Sequence, residues 1–133
     1  MREYTSKTKI MRKLEEIIKN LKKANQRLKE ATKNKPTRIN KDATIQRFEF
    51  TFELAWKVIQ EYIRDQGLDC KSPKNCIREA GRLELIENVE KWFKFLDNRN
   101  LIAHTYNEKI ADSIYRQAIK FPEEVEKLLK ELE

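Results

Sequence analysis

The chain has 133 residues, the size of one domain. Hydrophobic residues make up 39% and charged residues 38%, and two glycines and three prolines are the only strong breakers. That balance excludes a sheet-rich protein and points to an all-α domain with narrow buried seams. No apolar run approaches the length of a membrane span, and the start MREYTSKTKIMRKLEE lacks the apolar core of a secretory signal. A cytoplasmic location is therefore expected, with Cys70 and Cys76 reduced. Their spacing is no zinc signature and His104 is the lone histidine, so neither a metal site nor a cofactor is expected.

The net charge of +7 is unevenly placed. Residues 19 to 41 hold nine basic groups against one acidic group, Glu30, a net of +8 that leaves the other 110 residues at −1. Such a segment is either a solvated lysine-rich helix end or a surface that attracts RNA, DNA or an acidic protein. No aromatic side chain lies within it, so the segment itself offers no platform for a base.

In chain order, residues 6 to 33 form the first expected helix. Ile10, Leu14, Ile17, Leu21, Ala24, Leu28 and Ala31 recur at steps of four and three, a heptad seam along one stripe. Pro36 forbids continuation. A second helix is predicted over 41 to 66, with Asn40 as its N-cap and Gly67 as its stop. Its stripe is broad and aromatic, including Phe48, Phe52 and Trp56, which places it at the bundle centre. Ser72 and Pro73 open a short helix running to about Gly81. A third long helix is predicted over 84 to 103, with Ile86, Val89, Phe93, Leu96 and Ala103 on its buried stripe and Trp92 beside them. The last begins near Asn107, and Pro122 should kink or break it. Four long helices with short connections predict an antiparallel, up-and-down four-helix bundle with one short extra helix between the second and third long ones.

The stretch RNLIAHTY, residues 99 to 106, holds His104 with Arg99 five positions before it and Tyr106 two after it. On a continuous helix the first two lie about 140° apart around the axis and do not share a face. Convergence requires that the helix end near Ala103 or that a second chain complete the site. Asn100 falls in line with the buried stripe, where a polar group needs a partner or an opening. The chemistry on offer is an imidazole that moves a proton near neutral pH and a guanidinium that holds a phosphate at two points. The ordinary alternative is a helix end, with His104 favoured by the dipole and Arg99 in a surface ion pair. On the second helix, Glu49 and Glu53 share a face. Glu53 is spaced either to pair with Lys57 or to face the cleft of Arg99 and His104. Trp56 and Trp92 read as core or dimer-interface anchors.

RNLIAHTY resembles the R-x4-H-x-Y motif of the HEPN superfamily, in its HepT-like branch, with Asn100 at the usually polar position after the arginine. RFEFTFELAWKVIQEYI and SPKNCIREAGRLELI resemble the corresponding segments of the nucleotidyltransferase substrate-binding proteins, so the likeness covers about residues 45 to 110. The resemblance implies a HEPN-like homodimer whose interface cleft is lined by Arg99 and His104 of both chains. It also implies a metal-independent endoribonuclease, the toxin of a two-gene toxin–antitoxin module. There Arg99 polarises the scissile phosphate and His104 acts as general base or acid, with Asn100, Glu53 and Glu49 in support. The antitoxin is a cognate minimal nucleotidyltransferase that adds AMP to Tyr106. An older view of the family makes such a chain a non-catalytic substrate-binding or regulatory subunit of the nucleotidyltransferase.

Overall fold

The computed structural model describes residues 2–133, with side chains from Arg12 onward, so Ile10 of the expected seam lies outside the described side chains. Helix α1 (Arg2–Thr32) carries that seam. Leu21 and Leu28 are fully buried, while Leu14, Ile17, Ala24 and Ala31 are half-buried at its sides. One polar residue joins them. Asn25 is buried, and its Nδ2 donates to the Pro122 carbonyl at 3.2 Å.

Helix α2 (Arg38–Asp65) starts three residues before the expected point. Thr37, not Asn40, is its cap: the Thr37 hydroxyl accepts from the Asn40 N–H at 3.2 Å. Asn40 sits inside the first turn, and its side chain donates back to the Lys35 carbonyl at 2.8 Å. Two nearby polar residues can each cap a helix, and the extended backbone at Thr37 decides between them. Gly67 ends the helix as expected, with φ +80° and the Leu68 N–H donating to the Ile63 carbonyl at 3.1 Å.

Cys70 and Cys76 are joined as a disulfide, which corrects the expectation of free thiols. The loop after α2 folds back so that their Cα atoms lie 5.2 Å apart, within bonding range, and both side chains are buried. Ser72 and Pro73 open α3 (Pro73–Arg82) as expected, the Ser72 hydroxyl accepting from the Asn75 N–H. The helix runs to Arg82, one residue past the expected end, and Glu84, at φ 61°, is the left-handed residue after it. Gly81 is a point of close approach, where an added Cβ would collide with Val89 Cγ2 at the start of the next helix.

That turn shortens the third long helix to α4 (Val89–Asn100), capped by Asn88. Its buried face is Trp92, Phe95 and Leu96; Phe93 is half-buried and Ala103 exposed, so the expected stripe is rotated. That face meets Phe121, whose ring lies 5.2 Å from Trp92, 4.8 Å from Phe95 and 5.3 Å from Phe48, all edge-on.

A 3₁₀ turn (Ile102–His104) follows α4, and Asn107 caps α5 (Glu108–Ala118) through its Oδ1 as expected. Pro122 breaks the last leg. Helix α6 (Phe121–Glu131) begins there, with the proline in a first turn that needs no N–H donor. The break lets α5 pack on α2 and α4 while α6 packs on α1. Helix α2 touches α1, α3, α4 and α5 and is the centre of the bundle. The result is an all-α four-helix bundle in which α5 and α6 share the fourth position and α3 is the extra helix. No helix among the described residues is long and apolar enough to cross a membrane.

Candidate functional site

Phe52 lies on the core face of α2 and is fully buried. Glu53, its neighbour, therefore points to the side, where α4 ends. Arg99, in the last turn of α4, reaches across and donates through Nη2 to Glu53 Oε1. Its guanidinium also sits over the Phe52 ring, 5.8 Å from the centroid. The other carboxylate oxygen of Glu53 accepts from Trp56 Nε1 at 3.1 Å. Arg99 Nη1 donates to Asn100 Oδ1 at 3.1 Å. Two of the guanidinium's five donors are thereby used, and Arg99 lines an open cleft of about 510 Å³ between α2 and the end of α4. Glu49, Phe50, Glu53, Arg99, Asn100 and Ile102 line it.

His104 is placed differently. The α-helix stops at Asn100, and the 3₁₀ turn carries His104 out to an exposed position. Its Nδ1 lies 3.3 Å from the Tyr106 hydroxyl, with the two rings edge to face at 5.9 Å. Tyr106 is 84% exposed. The imidazole does not line the cleft that holds Arg99. One chain thus presents a guanidinium anchored in a cleft and an imidazole on the adjoining rim. Charge on the first suits an oxyanion such as a phosphate, and the second is free to exchange a proton.

Of the residues singled out from sequence, Arg99, Asn100 and Glu53 form one hydrogen-bonded set, and His104 and Tyr106 form another. Glu49 shares the cleft wall but makes no ion pair among the described residues. Glu53 pairs with Arg99 rather than Lys57, whose side chain is exposed. Asn100 is exposed rather than set in the core stripe, because α4 is rotated and ends there. Trp92 is a core residue, whereas Trp56 is half-buried and positions Glu53. The Glu53–Trp56 spacing of three is the sequence signal for that bond. The role of Phe52 beneath Arg99 is not legible in the sequence, since it depends on how α4 lies on α2.

An all-helical bundle with R-x4-H-x-Y at the end of its third long helix defines a HepT-like protein. The model of the family described as "Nucleotidyltransferase substrate binding protein like" matches residues 13–133, and the chain belongs to that family. A relative from Haemophilus influenzae, named "Probable ribonuclease HepT", is 36% identical over 66% of this chain. The chain spans 64% of the length of that curated relative. A crystal structure of a protein from Thermus thermophilus superposes with a TM-score of 0.80 at 39% identity, covering 84% of this chain and 98% of that one. A second solved structure, from Haemophilus influenzae, is described as the fold of a substrate binding domain of a nucleotidyltransferase. It superposes with a TM-score of 0.74 at 26% identity, covering 86% of this chain and 98% of its own.

Proposed function

We propose that this protein is a HepT-like, metal-independent endoribonuclease that acts as a homodimer and is the toxin of a two-gene module. The observation that carries the reading is Arg99, fixed by Glu53 and Phe52 and lining an open cleft, one turn before an exposed His104. A guanidinium so held binds a phosphodiester and stabilises the charge that builds on it. The imidazole takes the proton from the substrate's 2′-hydroxyl. That oxygen attacks the adjacent phosphorus, the bond to the 5′-oxygen breaks, and the leaving oxygen takes up a proton. The products are a 2′,3′-cyclic phosphate end and a 5′-hydroxyl end, and no metal or cofactor enters. Since His104 stands on the rim rather than in the cleft of its own Arg99, a second copy placed across the cleft supplies the facing group.

Regulation follows from Tyr106. Its phenol is exposed to a modifying enzyme and lies within hydrogen-bond reach of the imidazole. The cognate minimal nucleotidyltransferase transfers AMP to the phenolic oxygen, with pyrophosphate leaving from ATP. The product puts a phosphodiester beside His104 and occupies the place of the RNA phosphate.

The test is incubation of the purified protein with total RNA in EDTA, beside His104→Ala and Arg99→Ala. Cleavage by wild type and a loss of about 10²-fold or more in each variant is expected. Equal survival of RNA in all three sinks the nuclease reading. The family description and the Haemophilus influenzae structure favour a second reading, a non-catalytic substrate-binding or regulatory subunit of a nucleotidyltransferase. Co-purification with the nucleotidyltransferase and no cleavage by the lone protein would establish it.

A further inference from the structure

The basic segment of α1 lacks an aromatic residue, but the fold supplies one from the neighbouring helix. Lys23 and Arg27 stand one turn apart on α1, and Arg47, Phe50 and Leu54 face them from α2 across a groove of about 260 Å³. Lys23, Arg27 and Arg47 make no ion pair among the described residues. Elsewhere in the same stretch, Lys29 is paired with Glu126, and Arg38 and Lys41 with Asp112. Lys19, Lys22, Lys33 and Lys35 are likewise without an ion pair among the described residues, and of the unpaired cations Lys23, Arg27 and Arg47 line the groove. Phe50 is 46% exposed, an apolar ring left in water on the central helix of the bundle. It lines both this groove and the cleft of Arg99, so the two depressions share a wall.

From these observations we infer that the α1–α2 groove is the entry track for single-stranded RNA, with Lys23, Arg27 and Arg47 on consecutive phosphates and Phe50 stacking a base beside the scissile phosphate. The inference rests on the nuclease reading for its direction, since the strand passes from the groove over Phe50 to Arg99. Cations along a groove combined with a projecting aromatic ring are how proteins hold single strands without reading their sequence. An acidic protein partner would use the three cations but gains nothing specific from a ring that can stack.

The experiment measures binding of a fluorescent single-stranded 2′-O-methyl RNA 12-mer, which lacks the hydroxyl nucleophile and cannot be cut. The proteins are the full chain, the triple variant Lys23→Gln/Arg27→Gln/Arg47→Gln, Phe50→Ala and Phe50→Tyr. The triple variant should lose at least ten-fold in affinity at low salt. Its slope of log affinity against log salt should flatten by about 2, at roughly 0.7 per phosphate contact. Phe50→Ala should weaken binding about ten-fold with the salt slope unchanged, and Phe50→Tyr should bind like wild type. Thermal melts verify that each variant is folded. An unchanged slope in the triple variant overturns the track. So does wild-type binding by Phe50→Ala together with equal competition by poly-glutamate, which would make the groove a protein-docking face. A change in oligomeric mass in place of a change in slope would make it an interface between copies. If binding follows the expected pattern but ordinary RNA stays intact in EDTA, the nuclease reading alone fails.

Discussion

The two halves of the R-x4-H-x-Y motif are built in opposite ways. Arg99 is held from two directions, by the Glu53 carboxylate and by the Phe52 ring, and both come from the central helix. His104 and Tyr106 are exposed and hold chiefly each other. The difference teaches that one half inherits rigidity from the core and the other is left accessible. An anchored cation is what phosphate binding needs, since its position is fixed before the charge arrives. In the proposed function, the accessible histidine and tyrosine are what a second copy and a modifying enzyme would reach.

Substitutions can break or sharpen that contrast. The largest effect is expected from Phe52→Ala. It empties a fully buried ring site beside Phe48 and Phe121 and should cost about 3–5 kcal/mol in a denaturant melt. Tyr106→Ala, on the accessible half, should stay within about 0.5 kcal/mol of wild type. Equal losses from the two would erase the contrast. Next is Gly81→Ala, whose methyl would collide with Val89 Cγ2 and displace the start of the helix that carries Arg99. Roughly 1–3 kcal/mol of destabilisation is expected, and the double variant Gly81→Ala/Val89→Ala should recover much of it. Failure of that rescue would mean that α3 and α4 do not depend on the close approach.

Glu53→Gln tests the anchor itself. The amide oxygen can still accept from Trp56 or Arg99, but the charge is gone. Stability should change by less than about 1 kcal/mol, because the pair is partly exposed. RNA cleavage should fall about ten-fold, and Glu53→Ala should lose more. Unaltered cleavage in Glu53→Ala would show that Arg99 needs no partner.

The smallest effect concerns pH. Asp112 on α5 accepts a hydrogen bond from Lys41 of α2, and that bond, with the charges of Lys41 and Arg38 nearby, holds its carboxyl below the ordinary 3.8. A lowered folded-state pKa means the contribution is complete above 3.8 and disappears as pH falls through the folded value. Asp112→Asn should therefore lower the melting temperature slightly at pH 7 and not at all at strongly acid pH. Equal shifts at both would assign the effect to packing.

The short-range chemistry is legible in the chain itself. Ser72–Pro73, Gly67, Asn107 and Pro122 act locally, on their own turn, and each starts, stops or breaks a helix where the sequence places it. The seam of α1 and the aromatic face of α2 are also written in periodicity, because both helices run unbroken for seven turns or more. Helix α4 departs from its periodicity in start, end and face. Before it, Glu84 adopts a left-handed conformation with no glycine to signal it, and its buried face packs on Phe121, some 25 residues further on. The disulfide departs from an expectation that rested on a cytoplasmic location, and the spacing of its cysteines could not correct it. Two cysteines six apart bond only if the loop turns back, and nothing local announces that it does.

The candidate site divides along the same line. The motif by itself marks Arg99, His104 and Tyr106 as the candidates for the chemistry. That α4 ends at Asn100, that Glu53 rather than Glu49 grips Arg99, and that Phe50 stands between a basic groove and the Arg99 cleft were decided by packing. The physical reason is range. Caps, breakers and hydrophobic period act within a few residues, whereas the partners of a side chain on one helix are chosen by how the next helix is turned against it.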